Sequence, residues 1–409
     1  WPFRKKEVKG VSSPDLYREI YGGRESASGV SVNWQTAIEV ATVLACVRVI
    51  ANGVSQVPFR VYQDDGSGRT LAKDNPLFKV LYRKPNPWQT SFSFRETMMY
   101  HAVLTGNAYA WKGMVGSNRE IRALELIEPS RVRVTRGQNS GDLTYRVTAD
   151  NGAIQPFDAD QIWHLRGPSW NGWHGMDSVK LARDAIGLSI ATESAHAEFH
   201  KGSARVSGLL SVDDALGKEK FEFLSSWLDR HSEGGDRAGK PLVMDKAAKW
   251  TTFAMTGVDS QHLETRKHQI EEICRSLGVM PIMVGHADKT ATYASAEQMF
   301  LAHVVHTLAP WYERIEQSAD TQLLTEQELD QGYYTKFTPN GLMRGAAADR
   351  SAYYTAALGT TQQPGWMTRN EIRNLEEMDQ VEGGDAFPEL ITATPPADTA
   401  PAGDGNGTD

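Results

Sequence analysis

The stretch from Asp259 to Leu324 constrains the fold more than any other part of the chain. A charge-laced amphipathic helix (DSQHLETRKHQIEEICRSLG) runs into a Gly/Pro-punctuated loop (VMPIMVGHADKTATY), and a longer helical segment follows (SAEQMFLAHVVHTLAPWYERIEQSADTQLL). Two long helices flanking a short loop of small and polar residues suit a part that lines a passage; they suit an active site poorly. On the first helix, Glu264 to Lys267, Lys267 to Glu271 and Glu271 to Arg275 repeat at three- and four-residue spacings, which predicts a solvated, salt-bridged face. On the second, Pro310 interrupts the stripe Phe300, Val304, Leu308, Trp311, Ile315, Ala319, Leu323. An interior proline costs about 3 kcal/mol and bends the axis, so a kink is expected there.

A further long helix is predicted from Asp177 to about Phe199, with two apolar ladders. One runs Leu181, Ala185, Leu188, Thr192, Ala195, Phe199; the other runs Val179, Ala182, Ile186, Ile190, Ala197. Small residues on opposite faces allow close packing against two neighbours, either in a ring of helices or at the centre of a bundle. Between this helix and the one at Asp259, Ser207–Val212 reads as a strand, Lys218–Arg230 as a helix and Pro241–Met255 as strand-like, a small α/β tip.

The N-terminal half reads as a separate α+β lobe. Residues 1–32 are polar and rich in Gly and Ser, an extended arm with one short helical candidate at Ser13–Tyr21. Trp34–Val54 is apolar almost all round (Ile38, Val40, Val43, Leu44, Val47, Ile50), the pattern of a buried helix that ends before Pro58. Phe59–Gln63 and a DDGSG turn predict a strand pair, and Asn75-Pro76 starts a short helix stopped by Pro85-Asn86-Pro87. Ser93 with Glu96 forms a capping box for a helix that Gly106 terminates. Ala108–Lys112, Ala123–Ile127, Arg131–Arg136, Thr144–Thr148 and Gln161–Leu165 read as a mostly antiparallel sheet. At the far end, Met367–Met378 is a short helix, and Ile391–Asp409 is low-complexity sequence expected to be disordered.

Charge and cysteine content exclude whole classes of function. The 409 residues hold 43 Lys+Arg against 51 Asp+Glu, a net charge of -8, which is the wrong sign for a protein that grips phosphates tightly. Only Cys46 and Cys274 occur, each inside an apolar helical pattern, so two buried thiols in a reducing compartment are expected rather than a disulfide framework. No apolar run reaches the roughly 18 residues of a membrane-spanning helix, and no signal-peptide pattern opens the chain, so a protein soluble and cytosolic when made is expected. The first residue is Trp rather than Met, which suggests a trimmed or partial N-terminus.

Candidate chemistry is sparse. His286 and Asp288 could act as acid and base, the basis of a rival reading as a hydrolase or phosphotransferase, but no nucleophile lies nearby in sequence. His303 and His306 are three apart without the spacing of a zinc motif, so structural histidines are expected, and no metal or cofactor site is. There is no GxxxxGK[ST], GxSxG or CxxC; Gly106-Asn107-Ala108 is a helix stop rather than a phosphate loop. A second rival, a sequence-specific nucleic-acid binder, would need a basic face, which the composition opposes.

From about Ser31 to Asp385 the chain resembles the portal proteins of tailed bacteriophages, specifically the HK97-type family. The resemblance is carried by the order and spacing of segments that are unspecific singly: Ala45-Cys46-Val47-Arg48-Val49-Ile50-Ala51, Lys84-Pro85-Asn86-Pro87, Gly106-Asn107-Ala108-Tyr109-Ala110 and Gln161-Ile162-Trp163-His164-Leu165-Arg166. Farther on come Gly175 to Phe199 with Gly202, Gln261 to Gly278 with Pro281, Thr292-Tyr293 with Glu297-Gln298, Thr307-Leu308-Ala309-Pro310 and Thr368-Arg369-Asn370-Glu371-Ile372-Arg373.

The resemblance implies an α+β, multi-lobed portal fold: an arm (1–33), a wing (34–175 and 295–366), two stem helices (176–203 and 259–278), a small α/β clip (204–258), a tunnel loop (279–294), a short helical crown (367–390) and a disordered tail (391–409). It implies a ring of twelve copies at one capsid vertex, a channel for double-stranded DNA without catalysis. Implied partners are the major capsid protein, the large terminase motor, head-completion or adaptor proteins, and DNA by weak non-specific contact. The implied location is the virion, after assembly in the host cytoplasm. His286, Asp288, Lys289, Thr290 and Thr292 are the expected channel residues of the tunnel loop. Ala185, Ile186, Ala195, Ile270 and Ile273 are the expected packing positions between subunits, and Lys218, Lys220, Arg230 and Arg237 the expected docking positions of the clip.

Overall fold

Helices that bury apolar faces on one another come early in the chain, and among the described residues three three-stranded and two two-stranded antiparallel sheets accompany them. The computed structural model describes residues 26–64, 66, 69–116, 119–137, 141–201, 209–212, 217–219, 222, 248–251, 256–286, 293–339, 347–360, 363–375 and 380–387. Two units are resolved, Trp1–Thr338 and Pro339–Asp409. The arm helix expected at Ser13–Tyr21 and the tail from Ile391 lie outside the described residues.

In the first unit the expected Trp34–Val54 helix is two, α1 (Trp34–Glu39) and α2 (Ala41–Ser55). Val40 between them is extended, with φ -73° and ψ 116°. The break lets Ala37, Val40, Val43, Val47 and Ile50 all face the interior, while Ile38 and Leu44 are only half-buried. Strand β1 (Phe59–Asp64) and β2 (Arg69–Leu71) form the expected hairpin, and α3 (Pro76–Tyr82) starts at Asn75, whose side chain accepts from the Leu77 amide. Helix α4 (Ser91–Thr105) starts earlier than expected. Its cap is Thr90, which accepts from the Ser93 amide, and Gly106 ends it at φ 75°. Packing of α2 on α4 makes the helical core.

The buried Arg95 of α4 ties that core together by donating to the carbonyls of Ser55 (2.8 Å) and Leu81 (3.2 Å), at the ends of α2 and α3. Carbonyls at helix C-termini are short of donors, which is why a cation is tolerated there. Burial pushes the Arg95 guanidinium down to about 10.

The expected sheet splits in two. Strands β3 (Asn107–Val115), β4 (Glu120–Ile127) and, later, β8 (Ile162–Arg166) pair in the order β4-β3-β8; β5 (Val132–Arg136), β6 (Leu143–Thr148) and β7 (Ile154–Asp158) pair in chain order. All pairs are antiparallel. Tyr109 and Tyr145 join the two sheets in one cluster with Ile162.

The long helix after residue 175 begins as α5 (Ser178–Leu181), capped by Asp177, and resumes as α6 (Arg183–Lys201). Of the α/β tip, β9 (Leu209–Val212) pairs antiparallel with β10 (Ala248–Thr251). Helix α7 (Thr256–Leu277) starts three residues before the expected Asp259. The second long helix is interrupted as follows: α8 (Tyr293–His303), a π-helical turn (Val304–Leu308), then α9 (Ala309–Leu323) with Pro310 in its first turn. Proline has no N–H to give, and a π turn directly before it absorbs that missing bond. Phe300 is exposed, as are Gln298, Met299 and Leu301 around it, although Val304, Leu308, Trp311, Ile315, Ala319 and Leu323 are buried.

Helix α9, a short α10 (Glu326–Asp330) and β11 (Tyr333–Phe337) close the first unit, with β11 adding to β1 in the order β11-β1-β2. Two acids of α9, the buried Glu316 and the half-buried Asp320, hold β11 in place. Glu316 accepts from the Phe337 amide (2.8 Å) and from Lys336 Nζ (2.5 Å), and Asp320 from the Thr335 amide and hydroxyl (both 2.7 Å). The second unit carries α11 (Ala347–Leu358), the hairpin β12 (Gly359–Thr360) and β13 (Gln363–Pro364), and α12 (Arg369–Leu375).

Candidate functional site

Three features of the first unit bear on function: the junction at which α5 leaves the sheets, the outward face of α6 beside α7, and the turn that follows α7.

At the junction, Gly106 and the loop before Asp177 approach so closely that a Cβ on Gly106 would lie 2.0 Å from the Met176 oxygen, and one on Gly175 would lie 1.8 Å from the Gly106 oxygen. Only glycines fit. Asn107, the first residue of β3, locks this crossing. Its amide donates to the carbonyls of Thr105 (3.0 Å) and Gly175 (3.1 Å), and its Oδ1 accepts from the Gly175 amide (2.8 Å). His164 Nε2 also lies 3.0 Å from that Oδ1, and His164 Nδ1 is 3.2 Å from the Tyr145 hydroxyl. An imidazole protonated on Nε2 alone satisfies both contacts. Burial first, then the Arg166 and His174 charges, hold His164 well below the usual histidine range, and burial brings His174 down to about 4. Sequence reading missed this cluster because its members are 57 residues apart; its one local signal was the Gly106-Asn107 pair, read as a helix stop.

The two ladders of α5 and α6 separate in space over their first part; farther on Ile190 is half-buried and Ala197 exposed. Val179, Ala182 and Ile186 face inward, with Ile186 only 1% exposed. Leu181 (52% exposed) and Leu188 (48%) face outward with Ala195, and Ala185 is half-buried. On α7, Ile273 is fully buried and Ile270 half-buried. The apolar row presented outward is therefore Leu181, Ala185, Leu188 and Ala195, whereas Ile186 and Ile273 pack inside the chain.

A groove of about 470 Å³ runs along this row between α6 and α7, lined by Ala185, Leu188, His268, Gln269, Ala27 and Ser28. Residues 26–28 lie on the chain's own α6: the Ala27 amide donates to Asp184 (3.0 Å), and Gly187 leaves room for Ser26. The helices are cross-linked by Arg266 to Glu193 (3.1 Å) and by Gln269 to Thr192 (3.1 Å). Along α7 itself Arg275 pairs with Glu272, not with the expected Glu271.

Glu271 instead faces His286, 4.0 Å away, after the turn Pro281–Val284 that ends at Gly285 (φ 82°). The Thr307 hydroxyl of the π turn donates to the Gly278 carbonyl (2.7 Å), which ties the π turn to the end of α7. Of the expected channel residues His286 is described; Asp288, Lys289, Thr290 and Thr292 lie outside the described residues. Of the expected clip residues Lys218 is described and exposed, and Lys220, Arg230 and Arg237 lie outside. His303 is buried and His306 exposed, so they share no face. Among the described residues no group of His, Cys, Asp and Glu has the arrangement of a metal site, and no helix is long and apolar enough to cross a membrane. A second group of apolar side chains, Met299, Phe300, Leu301 and Val305, is exposed around α8 and the π turn; sequence reading had placed Phe300 on one stripe with the buried Val304 and Leu308.

The family model described as phage portal protein matches residues 41–377. The chain belongs to the phage portal protein family. The portal protein of Enterobacteria phage HK97 is 26% identical over 358 residues, 87% of this chain and 82% of that one. The probable portal protein of Streptomyces phage phiC31 is 25% identical over 372 residues, covering 88% and 79%. In structure, a chain from the neck of a native gene transfer agent particle, computed with C12 symmetry, superposes with a TM-score of 0.58 at 19% identity over 90% of this chain and 93% of that chain. The α+β portal fold and the portal, head-tail connector role read from the sequence stand on these matches. Portal proteins form a structural family, not an enzymatic one.

Proposed function

We propose that twelve copies of this chain form a ring-shaped channel at one capsid vertex, through which double-stranded DNA is packaged and later ejected. On this reading residues 34–175 and 295–366 are the wing, 176–203 and 259–278 the stem, 204–258 the clip, 279–294 the tunnel loop and 367–390 the crown. The clip, with Lys218, Lys220, Arg230 and Arg237, meets the large terminase during packaging and head-completion or adaptor proteins afterwards, and the major capsid protein is a further partner of the ring. The ring itself has no catalytic part.

The observation that carries the reading is the outward apolar row on α6, in a chain whose fold matches a protein of a twelvefold-symmetric neck. Cyclic rings need head-to-tail contacts, in which two different surfaces of each copy meet. The α6 row and the exposed apolar residues of α8 supply two such surfaces, and each half-exposed Leu or Phe that becomes buried contributes about 1 kcal/mol. The net charge of -8 fits a channel along which DNA must slide, since tight binding takes roughly 6–10 phosphate contacts.

Negative-stain images and native mass of the purified protein test the ring. A large ring with a central hole is expected, and a stable monomer or dimer at micromolar concentration would overturn the proposal. Within the tunnel loop, Lys289 and His286, repeated around the ring, form a sparse electrostatic collar that Asp288 offsets. The double variant Lys289→Ala, His286→Ala should lower DNA packaging or retention, and unchanged values for both would remove the collar.

A further inference from the structure

The two cysteines of the chain, 228 residues apart in sequence, meet inside it. Cys46 lies on the buried face of α2 between Val43 and Val47, and Cys274 lies near the end of α7 beside Ile273. Both are fully buried, with their Sγ atoms 3.7 Å apart. That is a contact distance for two sulfurs, and a disulfide of about 2.05 Å would need an approach of roughly 1.7 Å, within reach of side-chain rotation and a small helix shift. Each thiol is the other's hydrogen-bond partner. That contact and burial push the Cys46 thiol up, and the same contact brings the Cys274 thiol down. Cys274 is therefore the sulfur better prepared to attack an oxidant.

We propose that Cys46 and Cys274 are a latent intrachain disulfide site, closed by a small peroxide, that staples α7 to the core helix α2. Cys274 Sγ attacks one oxygen of hydrogen peroxide, giving a sulfenic acid and releasing water. Cys46 Sγ then attacks Cys274 Sγ; hydroxide leaves, takes the Cys46 proton and departs as a second water. Two thiols lose two electrons in all, and both peroxide oxygens are reduced to water. Full burial makes the reaction slow, limited by the entry of peroxide, and the second sulfur only 3.7 Å away favours the intrachain product over one between copies. The bridge closes a loop of 228 residues, so it restricts the unfolded chain strongly. The site stands whether or not copies of the chain form the proposed ring.

The test uses the full chain, reduced, desalted, exposed to hydrogen peroxide for hours and quenched with catalase. It is then unfolded in guanidinium with a maleimide and weighed intact. The expected species has lost the mass of two hydrogens and carries no maleimide. Its thermal midpoint before unfolding should be higher by roughly 5–10 °C, reversed by a thiol reductant. Cys46→Ser and Cys274→Ser should each abolish both changes. Two maleimides on the treated wild type, oxygen adducts without a bridge, or a dimer linked between copies would each overturn the proposal.

Discussion

Asn107 satisfies backbone groups on both sides of the Gly106 crossing, so its removal strands buried partners that have no other way to be solvated. Each buried group left unpaired costs about 1–3 kcal/mol, and Asn107→Ala should lower unfolding stability by about 2–4 kcal/mol in guanidinium titration. His303 presents the opposite case. Both of its ring nitrogens are buried without a hydrogen-bond partner among the described residues, and burial holds it below the usual histidine range. His303→Leu should therefore raise stability by about 1 kcal/mol.

The pH dependence follows from the same residues. His101, His164, His174 and His303 all have folded-state values lowered chiefly by burial, so below about pH 6.5 the unfolded chain binds more protons than the folded one. Stability is then lost as pH falls, by about 1 kcal/mol at pH 5.5 for each histidine that stays neutral. Asp177, Glu316 and Asp320, raised by burial, act in the opposite sense but from the carboxylate range. The thermal midpoint should drop between pH 7.5 and 5.5, and drop less in His303→Leu. An equal or larger drop in the variant would remove His303 from this account.

At the scale of elements, α9 serves as the missing neighbour of strand β8. The Gln322 side chain accepts from the His164 amide (2.8 Å) and donates to the His164 carbonyl (3.1 Å), as an adjacent strand would. Trp163 Nε1 donates to the Ser318 hydroxyl one turn earlier (3.0 Å). A sheet edge covered by a helix needs such side-chain pairing, because a helix has no backbone groups to spare. Gln322→Ala should cost about 2 kcal/mol and lose hydrogen-exchange protection at the His164 amide, and retained protection there would show another partner.

Helices and strands set by local pattern were legible in the sequence: Asn75-Pro76 starts α3, Gly106 ends α4, and alternation marks β3, β4, β5, β6 and β8. What stayed hidden depended on distant partners. Tyr333–Phe337 pairs with Phe59–Gln63 across more than half the chain, so nothing local marks it as a strand. The two ladders of α5 and α6 are equally small and apolar, and periodicity alone did not say which faces inward. Likewise the π turn answers Pro310 but is fixed by Leu308 seated against Gly53 of α2, where a Cβ would lie 2.7 Å from the leucine methyls.

For the whole molecule, the proposed ring depends on a surface that the single chain does not need for its own folding. Leu188 is half exposed, so Leu188→Glu removes little from the folded monomer, and its thermal midpoint should stay within about 2 °C of wild type. Placed in a dry contact between copies, the same carboxylate would meet an apolar surface without a partner, at a cost of several kcal/mol repeated at every interface. Ala185→Trp works through volume instead: the half-buried alanine lines the groove between α6 and α7, and an indole there would hold a neighbouring helix off. Both variants should therefore leave a folded monomer and abolish the ring in native mass measurements. Ile186→Ala gives the contrast, because a fully buried side chain facing the chain's own core should lower the monomer's stability by about 2–4 kcal/mol. Intact rings from both Leu188→Glu and Ala185→Trp would mean that copies meet through some surface other than this face of α6.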